Sequence, residues 1–180
     1  MSFSFDVKDF GYYREIEIDY CKNEDALKIF KSIFGKKKFL VIHEGDDISG
    51  GDFIKEFKKL RIKSEIRGKG GFEVKERLRI SFRNSVKGLY YIWENYGSMR
   101  GNVFAFMNTR KSMKELKKEL KKFFSKFPSP KGIWLPKLMM HIPYDGEICF
   151  FSKNPAVIKN IKKKLIRLGG ELSLEEKISK

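Results

Sequence analysis

Apolar and polar residues alternate through positions 61–83, and parity sorts that stretch into two faces, because side chains on a strand point to opposite sides with period two. Even positions carry Ile62, Ile66, Phe72, Val74, Leu78, Ile80 and Phe82, interrupted by Ser64 and Glu76. Odd positions carry Arg61, Lys63, Glu65, Arg67, Glu73, Lys75, Arg77, Arg79, Ser81 and Arg83. The pattern predicts a β-hairpin with one apolar and one basic face. A three-residue connection at Lys69-Gly70-Gly71 is a common hairpin geometry. It would set Ile66 opposite Val74 and Ile62 opposite Leu78, and pair Arg67 with Glu73 and Glu65 with Lys75. Lys63 would then face Arg77, and Arg61 would face Arg79. Such like-charge pairs cost roughly 0.2–1 kcal/mol each, which a bound polyanion offsets. A solvated strand face is the alternative.

The same reading orders the rest of the chain. Phe3, Phe5 and Val7 alternate, as do Ile16, Ile18 and Tyr20, with a turn at 9–11, so the chain opens on a hairpin. Asn23 is placed to cap a helix striped by Ala26, Leu27, Phe30, Ile33 and Phe34 and ended by Gly35. A buried strand follows over 39–44, then a polar loop over 45–51 and a short helix carrying Phe53, Ile54, Phe57 and Leu60. After the basic hairpin, Ser85 starts a helix, 103–107 reads as a strand, and Ser112 with Glu115 forms a capping box. A second hairpin spans 138–151, and Asn154-Pro155 opens a helix before a short final strand over 171–174.

From Val103 the order is β-α-β-β-α-β, the ferredoxin-like order with both helices on one face of the sheet. The expected class is α+β, a mixed or antiparallel sheet with helices on one face and a ferredoxin-like C-terminal half. Residues 1–100 form the half with the basic hairpin and 101–180 the ferredoxin-like half, or the two make one continuous domain. No internal sequence repeat supports a duplication.

Charge changes the picture more than composition does. The 180 residues carry a formal net charge of +16, with enough hydrophobic content (41%, including 17 Phe) for a sizeable core. That balance calls for an anionic partner, nucleic acid first and an acidic protein second. Cys21 and Cys149 form no paired motif, which suits a reducing cytoplasm. No apolar run is long enough to span a membrane, and the N-terminus carries charge too early for a signal peptide.

The basic candidates are Arg61, Lys63, Arg67, Lys69, Lys75, Arg77, Arg79 and Arg83 on the hairpin, with Lys159 and Lys163 on a helix that holds no acid. Lys114, Lys117, Lys118, Lys121 and Lys122 lie on the helix before it, diluted by Glu115 and Glu119. Such contacts position a backbone without reading its sequence. Tyr12, Tyr13, Tyr90 and Tyr91 are candidates for stacking on unpaired bases.

A second constellation is His43-Glu44-Gly45-Asp46-Asp47 at the end of a buried strand. Carboxylates gathered at a strand end suit Mg²⁺, an oxygen-preferring ion. Catalysis would then draw on His43, Glu44, Asp46 and Asp47. A polar loop that caps the next helix is the alternative. The run Phe39-Leu-Val-Ile-His-Glu-Gly-Asp-Asp47 resembles the glutamate motif of Toprim domains over about 16 residues. The resemblance implies a metal or acid–base role for Glu44 and Asp47. The family's second motif, Asp-x-Asp, falls at Asn108-Thr109-Arg110, which has neither carboxylate. His43 and His141 are the only histidines, and a catalytic pair requires them to converge.

The leading expectation is a nucleic-acid-binding protein, RNA or single strands ahead of duplex DNA, that uses the basic hairpin face. One rival is a Mg²⁺-dependent nuclease or nucleotidyl-transfer enzyme with the Toprim-like loop. Another is an inhibitor or immunity-type protein for an acidic partner. Walker, zincin and α/β-hydrolase motifs are missing from the sequence.

Overall fold

The computed structural model describes residues 3–45, 50–68, 78–96, 101–127, 132, 134–143 and 146–178. The chain runs β1 (Phe3–Asp9), β2 (Arg14–Ile18), α1 (Asn23–Phe34), β3 (Phe39–Gly45), α2 (Gly50–Lys59), β4 (Ser64–Arg67) and β5 (Leu78–Arg83). It continues with α3 (Val86–Tyr96), β6 (Gly101–Met107), α4 (Met113–Ser125), β7 (Leu138–Ile142), β8 (Ile148–Ser152), α5 (Pro155–Arg167) and β9 (Gly170–Lys177).

Local chemistry sets most of the boundaries. Ser112 and Glu115 form the reciprocal capping box of α4. Asn154 accepts from the Ala156 amide at 2.9 Å to start α5, and Ser85 accepts from the Gly88 amide at 3.0 Å to start α3. Asn23 departs from its expected capping role. Lys22 is the residue before α1, and the Asn23 side chain instead accepts from Trp93 Nε1 at 3.0 Å, tying α1 to α3.

All nine strands form one mixed sheet in the order β4-β5-β3-β6-β7-β8-β2-β1-β9. Every pairing is antiparallel except β1 with β9. Counting reversals along the sheet, β2 runs parallel to β3, β5 to β6, and β8 to β9. Each of these pairs is joined by a helix (α1, α3 or α5) that skips the strands between them. All three helices, with α2, pack on the same face through Phe30, Phe53, Phe57, Ile92, Ile158 and their neighbours. Three crossovers on one face therefore share one hand, as strand twist favours. The architecture repeats a β-β-α-β unit three times, although no sequence repeat announces it.

The ferredoxin-like pairing expected after Val103 is corrected here. β6 and β7 are direct antiparallel neighbours, so the α4 connection needs no crossover. β9 lies at the far edge, against β1. The helices also occupy two faces rather than one. The α4 stripe Leu116 and Phe123 packs on the opposite side, against Leu40, Ile42, Phe104, Phe106 and Met139, in a second core with Phe10 and Tyr13. Among the described residues no helix is long and apolar enough to cross a membrane.

The register of the basic hairpin is a second correction. Ile66 opposes Ile80 rather than Val74, and Arg67 opposes Arg79 rather than Glu73. A slide by an even number of residues keeps every side chain on its face, so alternation alone does not choose between the two registers. Packing chooses. Phe82 meets Phe57 edge-on at 5.1 Å, and Ile80 is fully buried. A Cβ on Gly88 would stand 2.9 Å from both Ile62 Cδ1 and Phe82 Cε2, so only glycine lets α3 come this close to the hairpin.

Candidate nucleic-acid interface

The odd-numbered residues of β4 and β5 face the α4 side of the sheet, where α4 covers β3, β6 and β7 but leaves a ledge over the hairpin. Two adjoining hollows of about 620 and 560 Å³ occupy that ledge and share Leu40, Arg83 and Asn84. Among the described residues, the first is walled by Arg61, Lys63, Arg83, Ser64, Ser81 and Ser85, with Leu40 and Met113 of the α4-side core at its base. The second is walled by Lys38, Arg83, Arg110, Asn108 and Thr109. Arg61, Lys63, Arg83, Lys38 and Arg110 are all exposed, and among the described residues none of them forms an ion pair. The one acid among the described lining residues, Glu65, accepts from Arg67 Nε at 2.7 Å. Five cations without an ion-pair partner among the described residues therefore line the two adjoining hollows.

The backbone around it is unusual and firmly held. Arg61, Asn84 and Asn108, the non-glycine residues with positive φ among those described (54°, 54° and 55°), all line the groove. Left-handed backbone costs a side-chain-bearing residue about 1–2 kcal/mol. Such residues gather at sites whose surroundings over-determine them. Asn84 exchanges bonds with Phe39, its amide donating to the Phe39 carbonyl at 3.0 Å and its side chain accepting from the Phe39 amide at 2.8 Å. The Asn108 amide donates to the Lys38 carbonyl at 3.0 Å. The ends of β5 and β6 are thus stapled to the start of β3, and each staple carries an arginine into the groove. Beyond it, Lys114, Lys118 and Lys121 extend along one exposed side of α4.

The structure brings together Arg61, Lys63 and Arg83 of the hairpin candidates. Arg79 is instead held by Glu44 at 2.6 Å. Lys69, Lys75 and Arg77 lie outside the described residues. Lys159 and Lys163 are exposed on α5, across the sheet from the groove. Lys38, Asn84, Asn108 and Arg110 were missed by sequence reasoning. Their available signal is asparagine directly after a strand, the residue that tolerates a left-handed turn, next to arginine.

The carboxylate constellation does not gather in the described residues. Glu44 points to the α4 side, where its Oε1 accepts from Arg79 and from Lys117 at 2.7 Å. His43 points to the other face, against Phe53 at 6.0 Å between ring centroids. Asp46 and Asp47 lie outside the described residues, and no cluster of three metal-ligating side chains occurs among those described. Glu44 is thus a structural node that joins β5 to α4. Glu44→Gln is expected to cost about 1 kcal/mol, roughly 2–4 °C in Tm, in a thermal melt with or without Mg²⁺.

His141 lies on the α4 face, stacked on Phe104 at 4.5 Å, with Nε2 3.0 Å from Asn102 Oδ1. The two histidines are therefore on opposite sides of the sheet and form no catalytic pair. The tyrosines are also committed to the interior. Tyr13 is 1% exposed and stacks on Phe10. Tyr12 packs against the α4-side core, while Tyr90 and Tyr91 pack against the other. Comparison with protein-family models, with curated proteins and with solved structures finds no match for this chain.

Proposed function

We propose that this protein binds single-stranded nucleic acid, with RNA as the leading ligand, through the groove between β4–β5 and the start of α4. The observation that carries this reading is that Arg61, Lys63, Arg83, Lys38 and Arg110 line two adjoining hollows and, among the described residues, have no carboxylate partner. Uncompensated cations repel one another, and a phosphate backbone relieves that repulsion while it releases counterions. The apolar Leu40 and Met113 suit a strand whose bases are free to enter, and serines and asparagines supply neutral donors. The two free, buried cysteines accord with a reducing compartment such as the cytoplasm.

The test is fluorescence anisotropy of a labelled single-stranded RNA across a salt series. For single strands log K falls with log salt at about −0.7 per neutralised phosphate. Arg61→Ala/Arg83→Ala is expected to flatten that slope by about 1.4. Lys159→Ala/Lys163→Ala, on the opposite face, should leave it unchanged. Absence of binding at low salt, or a groove variant that tracks wild type, overturns the proposal.

A further inference from the structure

The two hollows differ in chemistry, and that difference says what each accepts. The first has Leu40 and Met113 of the α4-side core beneath its cations and serines. Of the second hollow's described lining only Phe39 and Leu40 are apolar, and it places Lys38, Arg83 and Arg110 beside Asn108 and Thr109. Each volume falls in the range that encloses a small ligand. An internal phosphodiester carries one negative charge, whereas a terminal phosphate carries about 1.5 to 2 at pH 7 and offers three acceptor oxygens. Three cations that have no ion-pair partner among the described residues carry more charge than one phosphodiester neutralises. They match a phosphate dianion. The stapled turns at Asn84 and Asn108 fix the two arginine-bearing segments beforehand, so little ordering is left to oppose binding.

Resting on the nucleic-acid reading above, we propose that this groove is an end-binding site for a nucleoside unit that carries a terminal phosphate. The nucleoside lies in the Arg61–Met113 hollow, and the phosphate lies in the hollow of Lys38, Arg83 and Arg110. Two sources present this chemistry, the phosphorylated end of a strand and a free nucleotide.

Anisotropy competition tests the assignment with one RNA sequence in three forms: a 5′-phosphate, a 3′-phosphate, or hydroxyls at both ends. A nucleoside monophosphate serves as a fourth competitor. Charge-assisted bonds to a dianion are worth about 1.5–3 kcal/mol, so one phosphorylated end should bind roughly ten- to a hundredfold tighter than the hydroxyl-ended strand. Arg110→Ala, confined to the phosphate hollow, should bring that ratio close to one. Arg61→Ala should weaken all strands alike and keep the ratio. Unchanged thermal melts exclude misfolding of either variant. Competition by the mononucleotide at the affinity of the phosphorylated strand identifies a free nucleotide as the source, and weaker competition identifies a strand end. Equal binding of all three strands without mononucleotide competition defeats the end-site assignment and leaves the backbone-binding reading intact. No binding of any form defeats both.

Discussion

Acidification from pH 6.5 to pH 4 is expected to remove about 3 kcal/mol of stability through His43 alone. His43 is fully buried on the α2 side of the sheet, and among the described residues its ring nitrogens make no well-formed hydrogen bond, the Asn102 backbone being a weak partner at most. Burial pushes its pKa from 6.5 down to about 4, against smaller upward pulls from the Asn102 backbone and the Glu44 charge. The unfolded imidazole takes its proton near pH 6.5 while the folded one resists until about pH 4, so stability is complete above pH 6.5 and falls as pH drops through that window. His141, also depressed to about 4 by burial, adds a similar loss. Together they amount to about 6 kcal/mol, comparable with the whole stability of many domains at 5–15 kcal/mol. His43→Leu removes the poorly partnered polar group, which itself costs about 1–3 kcal/mol, and halves the acid sensitivity. Urea midpoints for both proteins at pH 4.5 and pH 7 should diverge on the acid side. A gap that is the same at both pH values would falsify the assignment to His43.

How legible the fold was in the sequence depended on which physical rule each feature obeys. Strand and helix positions followed periodicity and capping, which are local, and Ser112, Asn154 and Ser85 cap as their spacing says. Sheet order is non-local. Nothing in residues 170–177 alone tells that strand to seek β1, and the β-α-β-β-α-β order after Val103 is compatible with more than one sheet. A usable clue lay in the unbroken apolar runs Phe39-Leu-Val-Ile42 and Val103-Phe-Ala-Phe-Met107, because a strand without polar alternation is covered on both faces. Those runs require a layer on the α4 side, and they argue against all helices sharing one face.

The basic groove was half legible for the same reason. Parity placed Arg83 on the α4 side whatever the register, whereas Arg61 and Lys63 precede β4 and reach the groove through the left-handed turn at Arg61. Lys38, Asn84, Asn108 and Arg110 reach the groove only because β5 and β6 flank β3, an adjacency no local pattern encodes. Adjacency also decided the carboxylates. Glu44 and His43 are sequence neighbours, but consecutive residues on a strand face opposite ways. One became an ion-pair node under α4 and the other a buried imidazole against Phe53.

The opposite pH slope belongs to Glu15, which sequence alone gave no reason to notice. It lies on β2, 5% exposed, facing Lys8 across one pairing and Phe151 across the other. Burial raises its pKa from 4.5 to about 7. The neighbouring Glu17 charge adds to that rise, while Lys8 and the Cys149 thiol pull against it. The unfolded carboxyl ionises near pH 4.5 and the folded one holds its proton until about pH 7, so stability falls by about 3 kcal/mol as pH rises through this window. Glu15→Gln keeps a neutral amide of the same shape beside Cys149 and removes that slope. The variant should match wild type at pH 4.5 and exceed it by about 3 kcal/mol at pH 8. Between pH 4.5 and 6.5 the Glu15 slope cancels about one histidine's. Wild type should therefore gain stability gently across that interval, Glu15→Gln steeply, and His43→Leu hardly at all. Chemical denaturation of the three proteins at four pH values separates these profiles. Parallel curves for wild type and Glu15→Gln would mean that the Glu15 carboxyl is ionised in the folded protein, with Lys8 outweighing its burial.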